Sequence, residues 1–564
     1  MDYHAALRRA TLALLPVSAF LVISPWAQGA YRPAVSAVHF AVATDHPEAT
    51  RVAFDVLRAG GNAVDAAIAA ALALGVASPA SSGLGGGGFA TVCQPDGRCT
   101  FIDFRETAPA AATVEAFRHA PDPRRATTIG GLAVAIPGEP AGLALLARRY
   151  GRFPLTRTAA GASRLARSGF VVVPALADRI RDDSANLVGD RWISSLFLRG
   201  GGPIPTGTRV RRPVLAATIE RWARSPAQFI DRELAPLVSR NVRAAGGAIT
   251  EADVRGYQPV ERVPLSRAFR DWQIVTAPPP SAGGLIVLEV LAWIDAAPAT
   301  MLAHGSSAYD HLLAEAFRAA FDDRARYVGD PGSGPSNVDA LLAPARLARR
   351  RARFDPAHVS PVVVAEPAHD AGTTHVCVMD AGGTTVSLTT TINLAFGARL
   401  AVPTLDVLLN DEMFDFSLGI SGGNFGLANG SPNTLAPGRR PVSSMAPTIV
   451  LRDHRPVGCV GASGGPRVAT ATTQVLLNLM AHGMDPEAAV SSPRIHHQGV
   501  PNVLNVEGEV PEDVRVGLRA RGHDVHVLDT GVGVAQAIWV RDGPRGRRVL
   551  AAADPRKGGL ALGN

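Results

Sequence analysis

The stretch from Asn62 to Gly75, NAVDAAIAAALALG, follows a Gly60-Gly61 stop and is apolar on almost every face of a helix. A helix lying on a surface shows one apolar stripe, whereas one without a polar side has to be covered on most faces. The fold must therefore surround this segment. At 564 residues, 47% hydrophobic and 19% charged, the chain has ample material for a core of that size. A second helix, over Pro47 to Ala59, precedes it and ends at the same glycine pair.

Downstream of the apolar helix comes SGLGGGGFATV, Ser82 to Val92. Such a glycine run serves close backbone approach or positive φ, and its spacing matches neither a Walker loop nor a dinucleotide fingerprint. FIDFRETAPAAAT, Phe101 to Thr113, sets Arg105 and Glu106 just after a strand-like alternation. The middle third, Thr156 to Arg353, is mostly helical in pattern, with PPPSAGG at Pro278 to Gly284 as a sharp break. From Ala371 the pattern turns to strands. HVCVM and TVSLTTTI flank DAGG as a hairpin, and the span from Ala371 to Gly397 holds seven threonines. Propensity alone accounts for a threonine-rich hairpin, because a β-branched side chain suits a half-buried pleat.

A net charge of +7 and a pI near 9.7 raise the question of nucleic acid. Lys557 is the only lysine among 56 basic residues, the arginines are scattered, and no basic stripe is interleaved with aromatics, so nucleic acid is not an expected partner. Arg8 and Arg9 precede an apolar run from Ala10 to Trp26 that ends in AQGA, the pattern of a signal peptide. The run is broken by Pro16 and Pro25, so residues 1–29 read as a leader removed on export to the periplasm or medium, with a retained anchor as the alternative. Cys93 and Cys99 bracket a QPDGR turn able to bring two short strands together for a small bridge, whereas Cys377 and Cys459 read as small buried hydrophobes. None of the four has metal-site spacing. The adjacent His496 and His497 point to opposite faces of a strand and lack a carboxylate cluster, so no metal is expected there.

In order along the chain stand GGNAVDAAIAAALALGV, FRETAP, DDRARYVGDP, TTH, SSMAPTIV, GGPR and PRIHHQ. This series resembles the γ-glutamyltranspeptidase family of N-terminal nucleophile hydrolases, over essentially the whole chain that follows the leader. The resemblance implies an α+β fold, a four-layer αββα sandwich with two antiparallel sheets between helix layers. It also implies one precursor cut between Gly372 and Thr373. The large fragment, residues 30–372, and the small one, residues 373–564, would stay together as a heterodimer because each alone exposes half of a shared core.

Cutting there has a chemical logic. A threonine hydroxyl is a poor nucleophile without a base, and a free α-amine, with a pKa of about 7.7–8.0, supplies one on the same residue. By resemblance Thr373 is the nucleophile and Thr391 the second threonine, which hydrogen-bonds its amine. Arg105 matches the group that binds a donor's α-carboxylate, Ser443 and Ser444 the hydroxyls that assist it, and Asn393, Glu412 and Asp415 the acceptors of its α-ammonium. Gly464 and Gly465 match the pair whose N–H groups stabilise the oxyanion. No catalytic role falls to His375, and Thr384, Thr385, Thr389 and Thr390 stay structural.

Two departures bear on specificity. This chain has NLAFG, Asn393 to Gly397, where many bacterial relatives have NTTFG, and Phe425 is the nearest counterpart of a lid tyrosine. A phenyl ring covers a pocket but forms no hydroxyl hydrogen bond. The implied reaction is ping-pong: a γ-glutamyl donor, glutathione, acylates Thr373, and water or an amino acid or peptide amine resolves the ester without any cofactor. Two rivals stand beside it. One is a cephalosporin or glutaryl acylase of the same fold, against which the retained Asp415 argues. The other is an uncut, catalytically silent secreted binding protein.

Overall fold

The apolar helix spans Ala63–Ala77 and all of its residues are buried. Asn62 caps it: its side chain accepts from the Asp65 N–H at 3.0 Å while the Asp65 carboxylate accepts from the Asn62 N–H at 2.9 Å. The helix continues to Ala77, past the expected end at Gly75, because Gly75 packs within it against Gly83. The computed structural model describes residues 34–331, 337–360, 372–420, 424–427, 431–544 and 546–564, and the expected leader lies outside them. Residues Ala34–Asn564 form one unit.

The helix packs between other helices and one of two seven-stranded sheets, both antiparallel throughout. One runs, in hydrogen-bonded order, Leu560–Gly563, Ala41–Thr44, Gly372–Met379, Thr385–Asn393, Gly87–Cys93, Cys99–Phe104 and Val260–Arg262. The other runs Val35–Ala37, Gly546–Ala553, Val534–Gly543, Arg455–Ser463, Thr448–Arg452, Trp272–Thr276 and Leu265–Phe269. The helices Pro47–Arg58, Ala63–Ala77, Glu139–Tyr150 and Leu155–Ser168 share a core with the first sheet. Gly283–Asp295, Ser307–Tyr327 and Arg467–Met480 share one with the second. Ala41, Ala43, Cys377, Met379, Cys459 and Ile538 fill the seam between the sheets. The four layers are helix, sheet, sheet, helix.

The glycine run serves close approach. A Cβ at Gly86 would stand 2.0 Å from the Thr391 carbonyl oxygen, so only a bare backbone fits beside the threonine strand. Cys93 and Cys99 form a disulfide within their hairpin. The reading of Cys377 and Cys459 as separate small hydrophobes is corrected: they are bonded to each other and join the two sheets. Spacing 82 residues apart in sequence hid this, because the pairing exists only once the two strands face each other.

Candidate active site

Thr373 is the second residue of the strand Gly372–Met379 and lies opposite Thr391, with an irregularity in register between Gly372 and Thr373. Alternation decides which hydroxyls meet. Val376 and Val378 enter the helix-side core while Cys377 and Met379 enter the inter-sheet seam, which places Thr373 and His375 on the seam side. Thr391, Thr389 and Ser387 face the same way by their pairing with Thr373, His375 and Cys377.

The two hydroxyls of Thr373 and Thr391 are 3.2 Å apart. Thr391 Oγ1 also donates to the Gly372 carbonyl at 2.8 Å and accepts from the Asn393 N–H at 2.8 Å. One hydroxyl thus spans the expected nucleophile and the carbonyl of the bond before it. A Cβ on Gly372 would come within 2.5 Å of the Ala80 oxygen, so the position admits only glycine. Behind the strand, Lys557 Nζ donates to the Thr373 carbonyl at 2.9 Å and to the Asp45 carboxylate at 3.0 Å. Asp45 also accepts from Ser463 Oγ at 2.8 Å and Gln536 Nε2 at 2.9 Å, tying the first sheet to the second.

Arg105 leaves the strand Cys99–Phe104 fully buried. Its Nε donates to the Pro441 carbonyl at 3.2 Å, Nη1 stands 2.7 Å from Glu412, and Nη2 is bonded to Asp415. Both acids come from one short 3₁₀ turn, Glu412–Asp415, in which residues three apart eclipse and so converge on one guanidinium. Burial works against the Arg105 cation, but the charges of Glu412, Asp415 and Glu106 outweigh it and raise its pKa. Burial raises Glu412 well above the ordinary carboxylate range and raises Asp415 as well, with Arg105 opposing both. Glu106 and Asp411 are pushed up to about 8, again chiefly by burial.

Asn393 takes φ 74°, a left-handed conformation that asparagine tolerates, and its Nδ2 donates to the Asp411 carbonyl at 3.1 Å. Ser443 Oγ accepts from the Met445 N–H at 3.1 Å. Gly464 and Gly465, with φ 126° and 59°, turn the chain from the strand Arg455–Ser463 into the helix Arg467–Met480. Among the described residues neither glycine's N–H donates a hydrogen bond, and of the two Gly465 lines the cavity. Phe425, at φ 55°, is buried edge-on against Phe414, and its carbonyl accepts from Gln498 Nε2 at 3.0 Å.

Thr373, Thr391, Arg105, Asn393, Glu412, Asp415, Ser443, Ser444, Phe425 and Gly465 line one cavity. Gly464 stands just outside, where a Cβ would touch Gly533. His375 lies away from the cavity, its Nδ1 2.8 Å from Thr389 Oγ1, and burial lowers its pKa to about 3. It approaches Cys377 and Cys459, whose sulfurs are committed to their disulfide. Sequence reasoning missed three participants: Arg324, which lines the cavity, and the Lys557–Asp45 pair. Arg324 was visible only as part of DDRARYVGDP, and Lys557 only as the sole lysine.

Two antiparallel sheets between helix layers, with a threonine at the second position of a central strand opening on a pocket, place the chain in the N-terminal nucleophile hydrolase class. Within that class the chain belongs to the γ-glutamyltranspeptidase family, which it matches over residues 49–563. It is 36% identical to the glutathione hydrolase proenzyme of Pseudomonas sp. (strain A14), covering 94% of this chain and 95% of the relative. It is 35% identical to that of Escherichia coli (strain K12), covering 91% and 90%. The cephalosporin acylase of Bacillus halodurans superposes with a TM-score of 0.85 at 29% identity, covering 94% of this chain and 97% of the acylase.

Proposed function

We propose that this protein is a γ-glutamyltransferase and hydrolase that cuts itself at Gly372/Thr373 and then cleaves the γ-glutamyl amide of glutathione and related donors. The observation that carries the reading is the Thr391 hydroxyl, placed between Thr373 Oγ1 and the Gly372 carbonyl at the mouth of a buried, charge-lined cavity. In maturation Thr373 Oγ1 attacks the Gly372 carbonyl, polarised by Thr391, and the peptide bond shifts to an ester. Water then opens the ester, leaving a Gly372 carboxylate and a free Thr373 amine.

That amine is the base of the mature enzyme. It takes the proton of Thr373 Oγ1 as the oxygen attacks the donor's γ-carbonyl, and the oxyanion is met by the N–H groups of Gly464 and Gly465. The leaving amine departs with the proton, and water or an acceptor amine resolves the γ-glutamyl ester. Arg105, Ser443 and Ser444 receive the donor's α-carboxylate, and Asn393, Glu412 and Asp415 its ammonium. Phe425 closes the site as an apolar lid. Residues 30–372 and 373–564 are the two fragments of the heterodimer. Residues 1–29 direct export to the periplasm or medium; among the described residues no helix is long and apolar enough to cross a membrane.

Intact mass under denaturing conditions, wild type beside Thr373→Ala, tests the reading. Two wild-type fragments meeting at Gly372/Thr373 and a whole variant are expected; a folded wild type that stays whole overturns it. The likeness to the cephalosporin acylase supports a second reading, deacylation of glutaryl amides. Asp415, held by Arg105 where an ammonium would need it, favours the γ-glutamyl donor. Faster turnover of a glutaryl than of a γ-glutamyl anilide would reverse that preference.

A further inference from the structure

Arg324 sits in the last turn of the helix Ser307–Tyr327, is 4% exposed, and lines the same cavity as Thr373. A cation buried so deeply is ordinarily paired. Two arginines that approach the same helix follow that rule, because Arg346 and Arg350 both bond Asp323. Arg324 does not. Among the described residues its side chain makes no hydrogen bond and no ion pair, and its Nε is sealed from solvent without an acceptor.

Arg105 presents the opposite case. Its three guanidinium nitrogens are all engaged, by Pro441, Glu412 and Asp415. A carboxylate arriving there competes with two resident acids, whereas one arriving at Arg324 displaces no protein partner. We propose that Arg324 is the second guanidinium of the donor pocket: it takes the carboxylate at the end of the acyl group remote from the scissile amide, and so selects donors that end in a carboxylate. Arg105 then holds Glu412 and Asp415 ready for the ammonium while sharing the anion. The proposal rests on the γ-glutamyl reading and names the residue that enforces its carboxylate requirement.

Three ligands separate the groups: L-glutamate carries both carboxylate and ammonium at the far end, glutarate lacks the ammonium, and 4-aminobutyrate lacks the carboxylate. Calorimetric binding of each to the self-cut wild type, Arg324→Met and Arg324→Lys provides the test. Arg324→Met is expected to weaken L-glutamate and glutarate by about 10- to 100-fold and 4-aminobutyrate by less than about 3-fold, with Arg324→Lys recovering part of the loss. Equal weakening of all three, or weakening confined to the ammonium-bearing pair, overturns the assignment in favour of support for Asp415 or general packing. A self-cut wild type that binds none of the three instead removes the γ-glutamyl reading and this proposal with it. If Arg324→Met does not fold, Arg324→Gln is read in the same way, with self-cutting as the folding control.

Discussion

Thr390 and Thr391 are neighbours of one type on one strand, both buried, and they face opposite environments. Thr391 looks into the inter-sheet seam and meets Thr373, the Gly372 carbonyl and the Asn393 N–H. Thr390 looks into the helix layer, where its hydroxyl is bonded to the buried Glu139 and lies 3.4 Å from Ser82 Oγ. Propensity places both, and only the partner across from each hydroxyl gives it a task. The largest effect therefore belongs to Thr391→Val, which keeps the shape and removes the hydroxyl. On the proposed mechanism, removing the hydroxyl that donates to the Gly372 carbonyl before the cut and steadies Thr373 after it slows self-cutting and turnover by about 10²–10³-fold. Time courses of fragment formation and of γ-glutamyl anilide hydrolysis check this; a fully active valine variant would reduce Thr391 to a packing residue.

Lys557 sharpens the contrast from behind the strand. In a chain whose other basic Lys/Arg positions are all arginine, a lone ammonium touches the Thr373 carbonyl and the Asp45 hub. A charge-assisted hydrogen bond of this kind predicts that Lys557→Met slows both self-cutting and turnover by about 10-fold or more. KM should hold, because Lys557 does not line the donor cavity. A change in KM at constant kcat would place its influence on binding instead.

A helix apolar on every face and a threonine hairpin were legible as buried elements, whereas the four-layer arrangement that covers them was legible only through the ordered motifs and the family they resemble. Thr373, Thr391 and the pocket acids were legible only through the ordered motifs. What stayed hidden depends on three-dimensional pairing. The Cys377–Cys459 bond joins strands from different sheets, the Lys557–Asp45 pair joins residues far apart in sequence, and the lack of a partner for Arg324 among the described residues is defined by its surroundings. No local pattern encodes any of the three. Even the assignment of Arg105 to a donor carboxylate looked simpler in sequence than in a pocket where two acids already hold it.

On the other face of the strand the expected effects are smaller and fall on stability. Thr390→Val removes the hydroxyl bonded to Glu139, and a buried carboxyl deprived of a partner costs about 1–3 kcal/mol. Turnover should change by less than about 3-fold, because this hydroxyl lies outside the donor cavity. Chemical denaturation in the Thr373→Ala background, where one covalent chain unfolds, measures the first quantity, and anilide turnover of the single variant measures the second. A loss of activity as large as that of Thr391→Val would mean that the two faces are not separable.

Glu139 carries the finest distinction. Burial pushes its pKa from 4.5 up to about 8, against the opposing pull of the Thr390 hydroxyl and the Gly83 N–H. Between those values the folded chain keeps a proton that the unfolded chain has lost. Unfolding therefore releases it, and stability falls as pH rises, by at most about 1.4 kcal/mol per pH unit for this one group. Glu139→Gln cannot release that proton, so its stability should decline less steeply between pH 5 and pH 8. Glu106 and Asp411, also raised to about 8, add their slopes equally to both proteins, so the difference between the two curves isolates Glu139. Parallel curves would mean that Glu139 is ionised within the folded protein, and that the sealed face carries a charge as the open pocket does.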